Sequence, residues 1–244
     1  MTELLSVIVP VFNEVRTVRA VLDRLVAIDL PVARELLVVD DGSSDGTSEV
    51  LATACAEGLP VTVIRAGRNG GKGAAVRVGL GRARGTIVAI QDADLELDPR
   101  QLRELVVPIL AGEADVVYGS RFLGGRVAAP WSAVVANHVL TACTNLLYGA
   151  SLTDMETCYK VMRIDVARSL ELRASRFDIE PEITAKLLLR GHRILEVPVR
   201  FEPRTRALGK KIGWRDGVRA LVVLLSHRLA PGLRGGRPSG RPAR

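Results

Sequence analysis

The chain has 244 residues, 48% hydrophobic and 25% charged, enough apolar material for one large domain or two small ones. This balance excludes a disordered polymer and a collagen-like repeat, and three cysteines are too few for a disulfide scaffold or a zinc cluster. The net charge of +7 is uneven: from Arg200 onward there are 12 basic and 2 acidic residues, which leaves residues 1–199 slightly acidic.

Short apolar, β-branched runs alternate with helical patterns along the first half of the chain. Leu4–Val9 reads as a strand, in an N-terminal segment without the basic leader of a signal peptide. Val15–Ile28 then repeats apolar residues at helical spacing. Glu35–Val39, Val61–Ile64, Thr86–Ile90 and Ala114–Tyr118 are further strands, interleaved with helices over Asp45–Glu57, Gly73–Ala83 and Pro99–Leu110. Near-continuous apolar strands separated by helices predict an α/β fold, a mostly parallel sheet covered on both faces. Beyond Tyr118 the rhythm loosens. Trp131–Tyr148, Pro181–Leu189 and Trp214–Leu229 read as helices, Cys158–Met162 and Ile194–Val199 as strands. The Pro/Gly/Arg-rich segment Pro231–Arg244 is expected to be disordered. No run reaches the roughly 18 apolar residues that span a bilayer.

Chemistry concentrates at the ends of the predicted strands, where open α/β sheets bind ligands. The first strand runs into Pro10-Val11-Phe12-Asn13-Glu14, the second into Asp40-Asp41-Gly42-Ser43-Ser44-Asp45, and the fourth into Asp92-Ala93-Asp94. Carboxylates gathered on one edge repel one another unless a cation joins them, and Mg²⁺ typically uses one or two carboxylates plus substrate phosphates. Asp92 and Asp94, two apart on extended chain, are the candidate metal pair. Asp45 reads as a helix cap, and Gly42 and Gly46 as turn residues. Cys55, Cys143 and Cys158 read as buried or inert thiols, and His138, His192 and His227 follow no ligand spacing. Few aromatics and positive charge confined to one end argue against nucleic acid as a partner.

Eight motifs carry a resemblance over residues 4–220. They are VPVFNE (9–14), VDDGSSDGT (39–47), NGGKGAA (69–75), QDAD (91–94), GSRF (119–122), TDMETCYKV (153–161), FDIEPE (177–182) and GKKIGW (209–214). Together they resemble the family 2 inverting glycosyltransferases of the GT-A fold, in the branch of dolichyl-phosphate mannose synthase-like enzymes. The resemblance implies a single GT-A domain over residues 1–230, with a donor-binding half to about residue 120 and an acceptor-side half beyond it. It implies a nucleoside-diphosphate sugar donor of the GDP-mannose or UDP-glucose type, held by Pro10, Asn13, Glu14, Asp41, Lys72, Asp92, Ala93 and Asp94. Mg²⁺ or Mn²⁺ on Asp92 and Asp94 would stabilise the leaving diphosphate.

On the acceptor side the resemblance implies that Arg121 and Arg204 bind a polyprenyl phosphate, with Arg126 placed to assist. Guanidinium presents a planar fork to phosphate and stays charged. Catalysis would rest on Asp94, Asp154, Arg121 and Arg204, with Asp154 orienting the reactants or acting as base. Glu156 either lies near the sugar or partners Lys160. The expected location is the cytoplasm, with peripheral membrane contact through Trp131–Tyr148, Trp214–Leu229 and the basic C-terminal region. Two alternatives remain at this point: a soluble or glycolipid acceptor, and a non-catalytic module that binds nucleotide sugars or anionic membranes.

Overall fold

The computed structural model describes residues 3–124, 127, 129–203 and 214–230. Its centre is a seven-stranded sheet: β1 (Leu4–Val11), β2 (Ala33–Asp40), β3 (Thr62–Arg65), β4 (Ile87–Ile90), β5 (Val116–Ser120), β6 (Lys160–Arg163) and β7 (Leu195–Pro198). The strand order is β3-β2-β1-β4-β6-β5-β7. β6 runs antiparallel between β4 and β5, and every other pairing is parallel. The helices are α1 (Val18–Ala27), α2 (Thr47–Ala56), α3 (Lys72–Arg82), α4 (Leu102–Leu110), α5 (Trp131–Tyr148), α6 (Ile164–Ser169), α7 (Ile179–Leu189) and α8 (Trp214–Leu229).

Alternation along the strands builds a core on each face of the sheet. Leu5, Val7 and Val9 of β1 and Val117 of β5 pack on Val21 and Leu25 of α1, Leu51 of α2, and Leu105 and Ile109 of α4. On the opposite face Ile8 of β1 and Val116 and Tyr118 of β5 meet Val76 of α3, Val166 of α6, and Ile183 and Leu187 of α7. A smaller core joins Leu140 of α5, Ala185 of α7, and Ala220 and Leu224 of α8 around Met155. The two-sided sheet expected from continuous apolar strands is the one observed. Among the described residues no helix is long and apolar enough to cross a membrane.

The differences from the sequence reading are local. α1 begins at Val18, three residues later than its apolar periodicity, because Asn13 adopts a left-handed φ of 54° and Glu14 to Thr17 form a turn. The short helix α6 was not expected; it buries only Val166 and Ala167, too little to show a period. The proline-led helix opens with a single 3₁₀ turn over Pro99–Gln101, in which the Asp98 side chain accepts from the Arg100 amide. Of the thiols expected to be buried or inert, Cys55 is exposed, because it lies on the solvent side of α2. The segment 231–244, expected to be disordered, lies outside the described residues, as do Arg126, Arg204 and the GKKIG stretch of residues 209–213.

Candidate active site

The chain reverses its direction of travel across the sheet between β1 and β4, so their carboxyl ends open a crevice. β6 contributes to the same edge because it is antiparallel: its start, and the loop 150–159 before it, meet the carboxyl ends of β4 and β5. Three segments far apart in sequence thus converge.

On the β1–β2 side the loops lock one another. The Asn13 amide donates to Ser43 Oγ at 3.0 Å, and the Ser44 amide donates to Asn13 Oδ1 at 2.9 Å. The Glu14 amide donates to Thr47 Oγ1, and Glu14 Oε2 accepts from the Thr17 hydroxyl. Asp45, expected as the helix cap, stands one residue before it: Gly46 caps α2, and Asp45 accepts the Thr47 amide and hydroxyl two residues on. Pro10 ends β1 opposite Val39. Asp41 is buried and turned toward the glycine loop, where its two oxygens accept the Gly70 and Gly71 amides at 2.9 and 2.6 Å.

Two of those glycines are dictated by space. A Cβ on Gly71, whose φ is 91°, would lie 2.5 Å from the Ser175 carbonyl oxygen. One on Gly73 would lie 2.5 Å from the Ala174 carbonyl oxygen. The loop is seated on residues 174–176, and the Ala74 amide donates to Ser175 O. Glu182 of α7 holds that seat from beneath by accepting the Arg173 and Ala174 amides.

Past β4, Gln91 is fully buried and accepts the Tyr159 hydroxyl while donating to the carbonyls of Asp92 and Leu97. This pins the turn that carries Asp92, the buried Ala93, and Asp94, whose Oδ1 accepts the Glu96 amide. Lys72 Nζ reaches Asp92 Oδ1 at 2.8 Å and Glu180 Oε1 at 2.9 Å. Burial works against the ammonium charge, but Asp92 and Glu180 outweigh it and hold its pKa well above the ordinary lysine value. Lys160, fully buried, pairs with the other oxygen of Glu180 at 2.5 Å.

A divalent cation fits this corner on one condition. Among the described residues no group of three or more His, Cys, Asp or Glu side chains could form a cage. Two aspartates on one turn match a hard cation that draws its remaining ligands from water and phosphate oxygens. The donor set therefore suits a metal that arrives with a diphosphate.

On the far side Arg121, just past β5, forms a side-on pair with Asp154: Nε to Oδ2 and Nη2 to Oδ1, both 2.7 Å. Asp154 has no solvent exposure and also accepts the Arg121 amide and Asn137 Nδ2 of α5. Glu196 of β7 fixes this turn by accepting the Thr153 and Asp154 amides. Burial opposes the Arg121 charge, but Asp154 more than compensates, so the guanidinium remains protonated. In the loop before β6, burial pushes the Cys158 thiol well above its ordinary value, and the Asp92 charge adds to the rise.

Glu156 does not pair with Lys160, whose ammonium is taken by Glu180 and by the Met155 and Thr157 carbonyls. Glu156 Oε1 is buried without a hydrogen-bond partner. Burial raises its pKa to about 7, with Lys160 pulling the other way and Glu180 adding to the rise. The folded state therefore holds this proton between roughly pH 4.5 and 7, so its contribution to stability is lost as pH climbs through that window. Glu156→Gln is expected to flatten that slope and to gain up to about 3 kcal/mol over wild type above neutrality. Melting curves of both proteins from pH 5 to 8 check this; parallel curves would refute it.

The sequence reading named Lys72, Asp92, Arg121 and Asp154 but missed the partners that bind them, Glu180, Asn137 and Glu196. Glu180 stood inside the quoted FDIEPE motif, a usable signal. Asn137 and Glu196 sit in ordinary helix and strand patterns and gave none.

Comparison with known proteins follows the same lines. The family model described as Glycosyl transferase family 2 matches residues 6–170. The chain is 30% identical over 232 residues to the dodecaprenyl-phosphate galacturonate synthase of Rhizobium johnstonii, covering 91% of this chain and 65% of that protein. It is 31% identical over 214 residues to the undecaprenyl-phosphate mannosyltransferase of Micrococcus luteus, covering 84% and 86% respectively. In fold it is similar to glucosyl-3-phosphoglycerate synthase from Mycobacterium tuberculosis, solved with Mn²⁺, uridine diphosphate and phosphoglyceric acid. The TM-score is 0.71 at 24% identity, over 94% of this chain and 80% of that one. The sheet is that of the GT-A glycosyltransferases, and the chain belongs to glycosyl transferase family 2.

Proposed function

We propose that the chain is an inverting, metal-dependent glycosyltransferase that moves a hexose from a nucleoside-diphosphate sugar to a polyprenyl phosphate. The observation that carries this reading is the crevice with two chemically different arms, linked by the Lys72–Glu180–Lys160 ion chain to the loop that holds Asp154. One arm offers Asp92, Asp94 and a buried ammonium; the other offers a guanidinium kept cationic by Asp154. The names of the two relatives, both of which describe polyprenyl-phosphate chemistry, support the acceptor class.

The donor would lie over residues 10–14, Asp41 and the glycine loop, in the half that ends near residue 120. Asp41 acts through that loop, keeping the Gly70–Gly71 backbone low enough for a nucleotide to approach. Asp92 and Asp94 would hold Mg²⁺ or Mn²⁺, which when bound supplies charge stabilisation to the departing diphosphate. The side-on pair with Asp154 uses Nε and Nη2 of Arg121, so its Nη1 edge is the one that meets the acceptor phosphate. A phosphate monoester is anionic near neutral pH and needs no strong base. Asp154, sealed and committed to Arg121, thus serves as a positioning residue. Arg126 and Arg204 are assigned to the same phosphate on the sequence resemblance. A lipid acceptor also suits the packed pair α5 and α8, which leaves Trp131, Val135, Val139, Val218 and Val222 exposed beside Arg219.

The test incubates the purified chain with UDP-glucose or GDP-mannose, Mg²⁺ or Mn²⁺, and a polyprenyl phosphate. The expected result is a sugar-labelled product in the organic phase, abolished by EDTA. Nucleoside-diphosphate release that appears only with a soluble phosphorylated acceptor would move the acceptor out of the lipid. Release with neither acceptor would overturn the reading.

A further inference from the structure

Lys72 is the first residue of α3, and its ammonium rests between two carboxylates of different standing. Glu180 is anchored, since Lys160 grips its other oxygen at 2.5 Å and α7 carries it inside the protein. Asp92 stands at the mouth of the crevice on the turn after β4 and is one of the two aspartates fitted to a divalent cation. Nζ lies 2.8 and 3.0 Å from the two Asp92 oxygens, so it bridges them and sets a positive charge against the carboxylate that a cation would share. Its contact with Glu180, 2.9 Å, is an ion pair without hydrogen-bond alignment and survives a change of angle.

We propose that Lys72 is an exchangeable counter-ion: its ammonium blocks Asp92 until a nucleoside diphosphate arrives, so that divalent metal and diphosphate enter the site together. This rests on the donor and metal reading above and goes beyond it by setting how the two ligands depend on each other. A cation on Asp92 beside the Lys72 ammonium faces like charge at close range, which weakens its binding to the bare protein. A diphosphate gives the ammonium a second anion to lean on, while Glu180 keeps hold of it. The Lys72 charge is then drawn off Asp92, and the phosphate oxygens complete the ligand set. Because coupling between two ligands is reciprocal, metal must strengthen diphosphate binding by the same factor.

The experiment measures Mn²⁺ binding by the loss of its free-ion electron paramagnetic resonance signal, with and without saturating UDP or GDP. Wild type is compared with Lys72→Met, Lys72→Gln and Lys72→Arg. Wild type is expected to bind Mn²⁺ weakly alone and far better with the nucleotide, beyond the affinity of the nucleotide itself for Mn²⁺. Removing the charge in the Met variant is expected to tighten nucleotide-free binding about tenfold or more and to shrink the gain from nucleotide. The Gln variant keeps a hydrogen bond to Asp92 and should behave alike if the Met variant does not fold. The Arg variant keeps the charge and should retain weak nucleotide-free binding. Equal or weaker Mn²⁺ binding by the neutral variants, in the absence of nucleotide, overturns the proposal while leaving the metal site standing. If wild type binds no Mn²⁺ even with nucleotide, the metal reading itself fails and takes this one with it.

Discussion

Asp154→Ala is expected to lower stability by about 3–5 kcal/mol, because it strands a mostly buried guanidinium whose Nε and Nη2 both pair with that carboxylate. The same change removes the acceptor of Asn137 Nδ2 and of the Arg121 amide. In a chain of this length that loss corresponds to a fall of roughly 10 °C in melting temperature. The pair can be separated from the rest by a cycle: Arg121→Ala with Asp154→Ala should cost clearly less than the sum of the single changes. Single and double melting curves at neutral pH check this. Additive losses, or an Asp154→Ala protein that melts within 1–2 °C of wild type, would show that the pair does not hold the turn (both limits being judged against that estimate).

Asp92→Ala is the change with the largest expected effect on turnover. It removes one of two candidate metal ligands and frees the Lys72 ammonium from its nearer anchor, while Glu180 keeps that ammonium paired inside. Loss of the principal charge stabiliser of a leaving diphosphate is expected to lower nucleoside-diphosphate release by about 10³-fold or more. Melting temperature should change little, since Asp92 lies at the mouth of the crevice and the core does not depend on it. Asp92→Asn, which keeps the shape and removes the charge, should be nearly as inactive. A variant that retains more than about a tenth of wild-type release would show that the charge at this position is not used in the reaction.

The sheet was legible because β1, β2 and β4 are buried on both faces and so read as unbroken apolar runs. The carboxylates at their ends were legible for the same reason, as polarity that starts where burial stops. What local pattern could not carry is the direction of β6. Lys160–Arg163 reads as a strand either way, and only its pairing with Ala89 and Val117 shows that it runs against its neighbours. That reversal brings the loop before β6 to the edge where Asp154 meets Arg121. Arg121 and Asp154 were each picked out, one as a phosphate ligand and the other as an orienting group or base; their bond to one another belongs to the folded sheet. Glu180 likewise sits at the head of a helix that also buries Glu182 and Lys186, so its charge gave no warning of its link to Lys72.

The seating of the glycine loop on residues 174–176 also governs how the molecule is assembled on the ribosome. The loop's backbone shape is supported from one side by Asp41, already synthesised, and from the other by carbonyls about a hundred residues downstream. β5 reaches β4 only through β6, so one flank of the sheet also waits for residue 163 to emerge. A nascent chain arrested near residue 120 thus carries β1 to β4 without the support that shapes its glycine loop. On the donor reading proposed above, competence for a nucleotide sugar comes late in translation, in the same step that closes the sheet, and truncated products are expected not to sequester it.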